Sequence, residues 1–334
     1  MTLGSDDVVL ELRDVRREFK SPVGTVNAVN GISLQVAKGE IVCVLGPNGA
    51  GKTTTVKMAS TLLEPTSGDV IVAGIDAVRR PRDARKHSGL VLGGDRGFYM
   101  RASAIENLRF FAELQGVTGG QRERRISESL ERVGLDHRAG DRVESFSRGM
   151  KQRLHIARAL LSRPSLVLLD EPSIGLDPEG ARELRKIVLD LRDAGRGILL
   201  TTHYLHEAEE IADDLIVIDG GVIAAQGSGA DIARLAGVTA VTTFRSSSIG
   251  ENALEKLRRI DGVANVLAEQ RRGIMFVDVI WASPEAREDE LLLELGDAND
   301  VEALATREAT LEEAYIAFLQ RRRLHGASGE SRLK

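Results

Sequence analysis

What this chain lacks narrows its reading before any motif is considered. It holds a single cysteine, Cys43, so no intramolecular disulfide can form, and that residue sits in the apolar run IVCVL, where a thiol behaves as a small buried hydrophobe. Aromatic residues are scarce, at 4% of the 334 positions, while apolar residues reach 42% and charged ones 28%. That mixture excludes a chain disordered throughout and predicts an aliphatic, tightly packed α/β core. Nor is there an excess of positive charge. The 45 basic and 50 acidic residues give −5, which draws the chain to no polyanion, and nucleic acid is not an expected partner. No run reaches the roughly 18 apolar residues of a membrane span. The opening MTLGSDDVVLELRDV lacks the basic-then-apolar order of a signal peptide, so the chain is expected in the cytoplasm, with any membrane role supplied through a partner.

What is present is organised as one large domain and one small one. Short alternation marks strands at 8–13 and 32–36, and 40–46 is a continuous apolar run ending in glycine, as a buried strand does. KTTTVKMASTLL, residues 52–63, has helical spacing, and EPTSGD after it reads as a turn before the strand VIVAG. From about 99 to 164 the pattern is helical throughout, and strand-like runs return at 165–170, 197–201 and 214–218 around a helical stretch at 179–194. Alternation of this kind predicts an α/β fold with a mixed, largely parallel sheet and a helical insert over about 95–164. The first domain is expected to span 1–236. A smaller α+β domain at 237–322 is expected to carry strands at 239–244, 263–268 and 273–281 and helices at 251–260 and 285–295, similar to a split βαβ unit. Its last helix starts at TLEE, where Thr310 can cap and Glu313 holds the capping-box position. Residues 323–334 read as a disordered tail.

Two motifs carry chemistry on physical grounds alone. GPNGAGKTT, residues 46–54, fits G-x-x-x-x-G-K-[ST] between a predicted strand and a predicted helix. Gly46, Gly49 and Gly51 let the backbone curl, with Pro47, Asn48 and Ala50 completing the loop, so that successive N–H groups and the positive helix end face phosphate oxygens. Lys52 is expected to reach β- and γ-phosphates, Thr53 to ligate Mg²⁺ and Thr54 to support the same phosphates. A phosphate loop alone fits a kinase, a GTPase or a helicase. The second motif, SLVLLDEP at 165–172, is an apolar strand that delivers two adjacent carboxylates at its C-terminal end. Asp170 is expected to bind Mg²⁺ and Glu171 to polarise the attacking water as general base. A third segment, SFSRGM, reads as a helix N-terminus capped by Ser147 with a basic first turn.

SFSRGMKQRLHIARALL, at 145–161, resembles the signature motif and following helix of ATP-binding-cassette (ABC) proteins. The resemblance spans residues 8 to about 230 and implies a P-loop NTPase cassette. It also implies that Ser147 and Gly149 donate hydrogen bonds to the γ-phosphate held by an opposite subunit, so that ATP joins two chains. Phe146, Arg148 and Met150 depart from the commonest LSGGQ, while the serine and second glycine remain. SIGLDP at 173–178, centred on Asp177, resembles the loop that communicates across the dimer. TTHYLHEAE at 201–209 resembles the switch region, with His203 on the γ-phosphate, and Phe19 holds the place of the aromatic residue that stacks on adenine. A glutamine expected after HSGLVL is absent, its place taken by Gly93 and Gly94; Asp95 or water is expected to fill the metal position instead, with transmission through the backbone of residues 93–100.

SRGMKQR together with TLEEAYIAFL is similar to single-domain ATPases of daunorubicin-resistance-type exporters. This implies a homodimer or paired ABC subunit in the ATP state, a separate multi-span permease, and a peripheral location on the cytoplasmic membrane face. Residues 95–107 are expected to receive the permease. A soluble ABC ATPase acting on ribosomes or DNA, and a nucleotide-gated regulatory module, are the competing readings.

Overall fold

A computed structural model of the chain describes residues 7–22, 24–93, 97–282, 288–295 and 300–330. They fall into two compact units, Met1–Ala224 and Ala225–Lys334. In chain order the elements reaching to the division are β1 (Val8–Ser21), β2 (Gly24–Ala37), β3 (Ile41–Leu45), α1 (Lys52–Ala59), β4 (Ser67–Val72), β5 (Ile75–Asp76), α2 (Pro81–Lys86), β6 (Ser88–Leu92), α3 (Ala104–Leu114), α4 (Gly120–Arg132), α5 (Arg148–Leu160), β7 (Leu166–Asp170), α6 (Pro178–Asp193), β8 (Gly197–Thr201), α7 (Leu205–Ile211), β9 (Asp214–Asp219) and β10 (Val222–Gly227).

The apolar runs IVCVL, LVLLD and GILLT become β3, β7 and β8, each buried along its whole length. Strands with no polar face must be covered on both sides, and these lie inside a sheet of order β10-β9-β3-β8-β7-β6 whose β6–β7, β7–β8, β8–β3 and β3–β9 pairs are parallel. Burial pushes the Cys43 thiol pKa up, as an inert core thiol requires. The register sets Leu92 beside Asp170, Asp170 beside Thr201, and Thr201 beside Val44. The loops after β6, β7, β8 and β3 therefore leave one edge of the sheet from a single cross-strand row.

A second, antiparallel sheet of order β2-β1-β4-β5 shares its core with β3, β7, β8 and α1 through Leu10, Leu12, Ile32, Val44, Met58, Leu168 and Leu199. Its two long strands run well past the expected 8–13 and 32–36. They continue as an arm in which Phe19 pairs with Val26, and most side chains of that arm are exposed, so the apolar alternation that marks the inner halves is missing there. α1 stops at Ala59 rather than 63, since Thr61 takes a left-handed φ of 61°.

The second unit contains α8 (Gly229–Ala236), β11 (Ala240–Ser246), α9 (Glu251–Leu257), β12 (Val263–Arg271), β13 (Ile274–Trp281), α10 (Glu288–Leu295), β14 (Glu302–Glu308) and α11 (Leu311–Glu330). Its antiparallel order β12-β13-β11-β14 completes the split βαβ expectation as a ferredoxin-like βαββαβ sheet. β14 escaped the sequence reading because EALATRE is exposed at all but one position. Two boundaries are corrected. The division follows Ala224 instead of lying near 236, since α8 packs against α11 and so belongs to the second unit. The final helix runs to Glu330 where a disordered tail from 323 was expected, since propagating an existing helix costs far less than starting one. Thr310 and Glu313 form the capping box at its start.

Trp281, the only tryptophan of the sequence, is fully buried in this unit, and its Nε1 donates to Thr242 Oγ1 at 2.8 Å while that hydroxyl meets Thr306 Oγ1 at 2.6 Å. Thr242→Val leaves the buried Trp281 Nε1 without its acceptor and is expected to destabilise the unit by about 1–3 kcal/mol. Urea unfolding followed by tryptophan fluorescence reads this unit alone. An unchanged midpoint would show that the hydrogen bonds contribute nothing.

Candidate active site

The loop between β3 and α1 is shaped by close main-chain approach. Gly46 has φ 156° and a Cβ there would stand 2.2 Å from the Ile218 carbonyl oxygen; Gly51, at φ 111°, would place one 2.5 Å from that of Ala28. No other residue fits either position. Lys52 is buried, and its Nζ donates to the carbonyl oxygens of Gly46 at 2.7 Å and Pro47 at 3.4 Å. Residues 47–54 together with Glu171, Ile174 and His203 line a cleft of about 420 Å³. The loop thus places its backbone N–H groups and Lys52 on one wall and the expected base and switch histidine on the other.

The row across the sheet assembles the carboxylates. Asp170 Oδ1 accepts from Thr53 Oγ1 at 3.1 Å and from Thr201 Oγ1 at 2.7 Å. Thr201 Oγ1 in turn accepts from the Glu171 N–H at 3.0 Å, so one hydroxyl orients both acidic residues. Glu171 takes a left-handed φ of 50°, a conformation that costs a non-glycine residue about 1–2 kcal/mol. Its Oε2 lies 2.6 Å from His203 Nδ1 and accepts the His203 N–H at 3.2 Å, while its Oε1 is 3.8 Å from Lys52 Nζ. Ser173 Oγ donates to Glu207 at 2.6 Å and ties the loop after β7 to α7. Thr201 and Glu207 went unnoticed in the sequence; the one signal was a hydroxyl ending the apolar run GILLT. The Thr53 and Asp170 oxygens are hard ligands 3.1 Å apart at the mouth of the phosphate loop, and this pair fits Mg²⁺.

Ser147, Gly149 and Asp177 lie elsewhere, together in a second cleft of about 370 Å³. Ser147 caps α5, its Oγ accepting from the Met150 N–H at 3.2 Å, and Asp177 caps α6, accepting from the Gly180 N–H at 2.8 Å. The two helix starts meet at their glycines: a Cβ on Gly149 would stand 3.7 Å from the Gly180 Cα. The two helix N-termini cross at small residues, and the cleft is also lined by Arg148, Arg153, Glu179 and Glu183. Phe19 is 40% exposed on the β1–β2 arm with the Arg17 guanidinium 4.7 Å over its ring, and it is not among the residues that line the phosphate cleft. Gly93 follows β6 beside the Asp170 and Glu171 carbonyls; Gly94 and Asp95 lie outside the described residues.

Another grouping passed unnoticed in the sequence. His155, on α5, is buried against Phe98, and burial beside the positive Arg158 pushes its pKa down to about 3.

A phosphate loop, an Asp-Glu strand end, a histidine against that glutamate and a serine-capped α5 stand on one sheet topology, and the relatives of this chain name the group. Residues 29–174 match the family described as ABC transporter. The chain belongs to the ABC transporter ATP-binding family. It is 33% identical over 300 residues to the linearmycin resistance ATP-binding protein LnrL of Bacillus subtilis, covering 89% of this chain and 95% of that one. To the doxorubicin resistance ATP-binding protein DrrA of Mycobacterium tuberculosis it is 32% identical over 330 residues, with 94% of each covered. Among solved structures, the ATP-binding subunit of an ABC transporter is 32% identical with a TM-score of 0.59, over 68% of this chain and 92% of that one. The cassette is therefore an ATP-binding P-loop ATPase, with a ferredoxin-like unit appended. Among the described residues no helix is long and apolar enough to cross a membrane.

Proposed function

We propose that two copies of this cassette, or one copy and a paired ABC subunit, close head-to-tail on two ATP molecules and so drive a separate multi-span permease that exports drug-like compounds. The single observation that carries this reading is the division of the phosphate-binding groups between two clefts of one chain. The phosphate loop, Glu171 and His203 line one, and Ser147, Gly149 and Asp177 line the other, with no lining residue in common. A γ-phosphate seated in the first can meet the second on another copy. The names of LnrL and DrrA, both resistance proteins, support the exporter subtype. An exposed apolar patch on the helical insert, formed by Tyr99, Phe110 and Leu114, supports docking of a membrane partner and a peripheral place on the cytoplasmic face.

In this mechanism the loop N–H groups and Lys52 hold the β- and γ-phosphates, and Phe19 stacks on adenine. Thr53 and Asp170 would hold Mg²⁺, which supplies positive charge at the phosphate oxygens. Glu171, oriented by Thr201 and His203, accepts a proton from the attacking water as its oxygen meets the γ-phosphorus and the bond to the bridging oxygen breaks. The freed phosphate no longer joins the two clefts, and the pair reopens.

The test is sedimentation of the Glu171→Gln chain with and without Mg·ATP. A dimer with ATP, a monomer without it, and return to monomer on adding Ser147→Arg while ATP still binds are the expected results. A chain that stays monomeric with ATP bound, alone and beside its membrane partner, overturns the reading.

A further inference from the structure

Outside both clefts, one stripe of α4 gathers charge mostly of a single sign. Arg125, Glu128, Ser129 and Arg132 recur at the three- and four-residue spacing that puts them on one face of the helix. Arg163, in the turn after α5, and Arg196, just before β8, join that face around a pocket of about 60 Å³ floored by the buried Leu160 and Leu191. Four guanidiniums and one carboxylate thus enclose the room of about four to six water molecules, at about 10–15 Å³ each. That is space for one tetrahedral oxyanion. A nucleotide needs the larger volume of the ATP cleft, about 420 Å³.

The cluster does not neutralise itself. Glu128 accepts from Arg163 at 2.5 Å and also from Arg124 at 2.8 Å, so two cations share its charge. Among the described residues Arg125, Arg132 and Arg196 make no ion pair. Arg125 donates to the Leu161 carbonyl and to Gln121, Arg196 donates to the carbonyls of Arg163 and Pro164, and the buried Nε of Arg125 has no partner. Burial, and then the charges of Arg132 and Arg163, push the Arg196 guanidinium below its ordinary pKa. Repulsion of this kind over an apolar floor is relieved by an anion, and the planar guanidinium fork matches the paired oxygens of a phosphate group. The pocket also stands clear of the catalytic row. Arg163 and Arg196 precede β7 and β8, whose far ends carry Asp170 and Thr201 about 13 Å away at 3.3 Å per residue.

We propose that the pocket between α4, the turn after α5 and the start of β8 binds a single phosphate group, as the inorganic ion or as a phosphomonoester headgroup, at a site separate from the ATP cleft. Arg125, Arg132, Arg163 and Arg196 hold its oxygens, and Ser129 offers a hydroxyl at the floor.

Equilibrium dialysis of the full chain against radiolabelled inorganic phosphate, at fixed ionic strength in chloride, is the test. It uses the Lys52→Ala background, which disables the phosphate loop. Arg132→Gln removes an exposed side chain that makes no ion pair or hydrogen bond among the described residues, so the fold stays intact. It is expected to weaken phosphate binding about tenfold, the loss of one charge-assisted hydrogen bond. Arg163→Gln does the same, and with Lys52 intact neither substitution changes ATP affinity. Sedimentation with phosphatidylcholine vesicles, with and without phosphatidic acid, identifies the source. Binding that needs phosphatidic acid and weakens in Arg132→Gln assigns a lipid headgroup; phosphate binding without it assigns the free ion. Binding of neither probe, or binding that both arginine substitutions leave unchanged, overturns the site. ATP affinity falling in step with phosphate affinity overturns its separateness.

Discussion

Glu171→Gln is expected to lower ATP turnover by about 10²- to 10⁴-fold while leaving ATP binding intact, the range for loss of a positioned general base. The amide keeps the shape of the carboxylate and can still accept the His203 N–H, which lies 3.2 Å from Oε2. It cannot take a proton from water. The carboxylate also sits under unusual constraint, with a left-handed backbone, its N–H on Thr201 and its oxygens between His203 and Lys52. Such fixation is what a base needs, since a misplaced proton acceptor loses rate even at an appropriate pKa. Phosphate release under saturating ATP is the measurement. Turnover near that of the unsubstituted chain would mean that another group activates the water.

Lys52→Ala is expected to remove ATP binding almost entirely, by about 10²-fold or more in Kd. Each charge-assisted hydrogen bond contributes about 1.5–3 kcal/mol, and the proposed mechanism gives this ammonium two, to the β- and γ-phosphates. Its Nζ donates to the Gly46 and Pro47 carbonyl oxygens and the side chain is only 7% exposed, so it is already withdrawn from water at the cleft wall. Calorimetric titration with Mg·ATP reads the change. Retained affinity would assign phosphate binding to the loop N–H groups alone.

Much of the cassette was legible because its chemistry is local in sequence. GPNGAGKTT carries loop, helix start and reactive side chains within nine residues and SLVLLDEP carries strand, turn and carboxylates within eight, and burial of IVCVL and LVLLD on both faces leaves the uninterrupted apolar runs that identify central strands. The illegible parts are those whose partners lie far away in the chain. Thr201 becomes informative only once β8 is laid beside β7 and its hydroxyl reaches Asp170. Phe98 and His155 are separated by 57 positions, and no spacing rule links a lone phenylalanine to a histidine at that range. β14 carries too few buried side chains to show a period, and the β1–β2 arm hides for the same reason.

The alignment of Leu92, Asp170, Thr201 and Val44 has a consequence for how this protein can be altered. Insertions in the connecting segments leave those four positions in step, because backbone pairing and not loop length holds them. A single residue added within β7 instead turns Asp170 to the opposite face of the sheet, since successive side chains in a strand alternate sides. The row thus depends on strand length and not on the length of the connections, although the phosphate loop and the turn that carries Glu171 have geometries of their own.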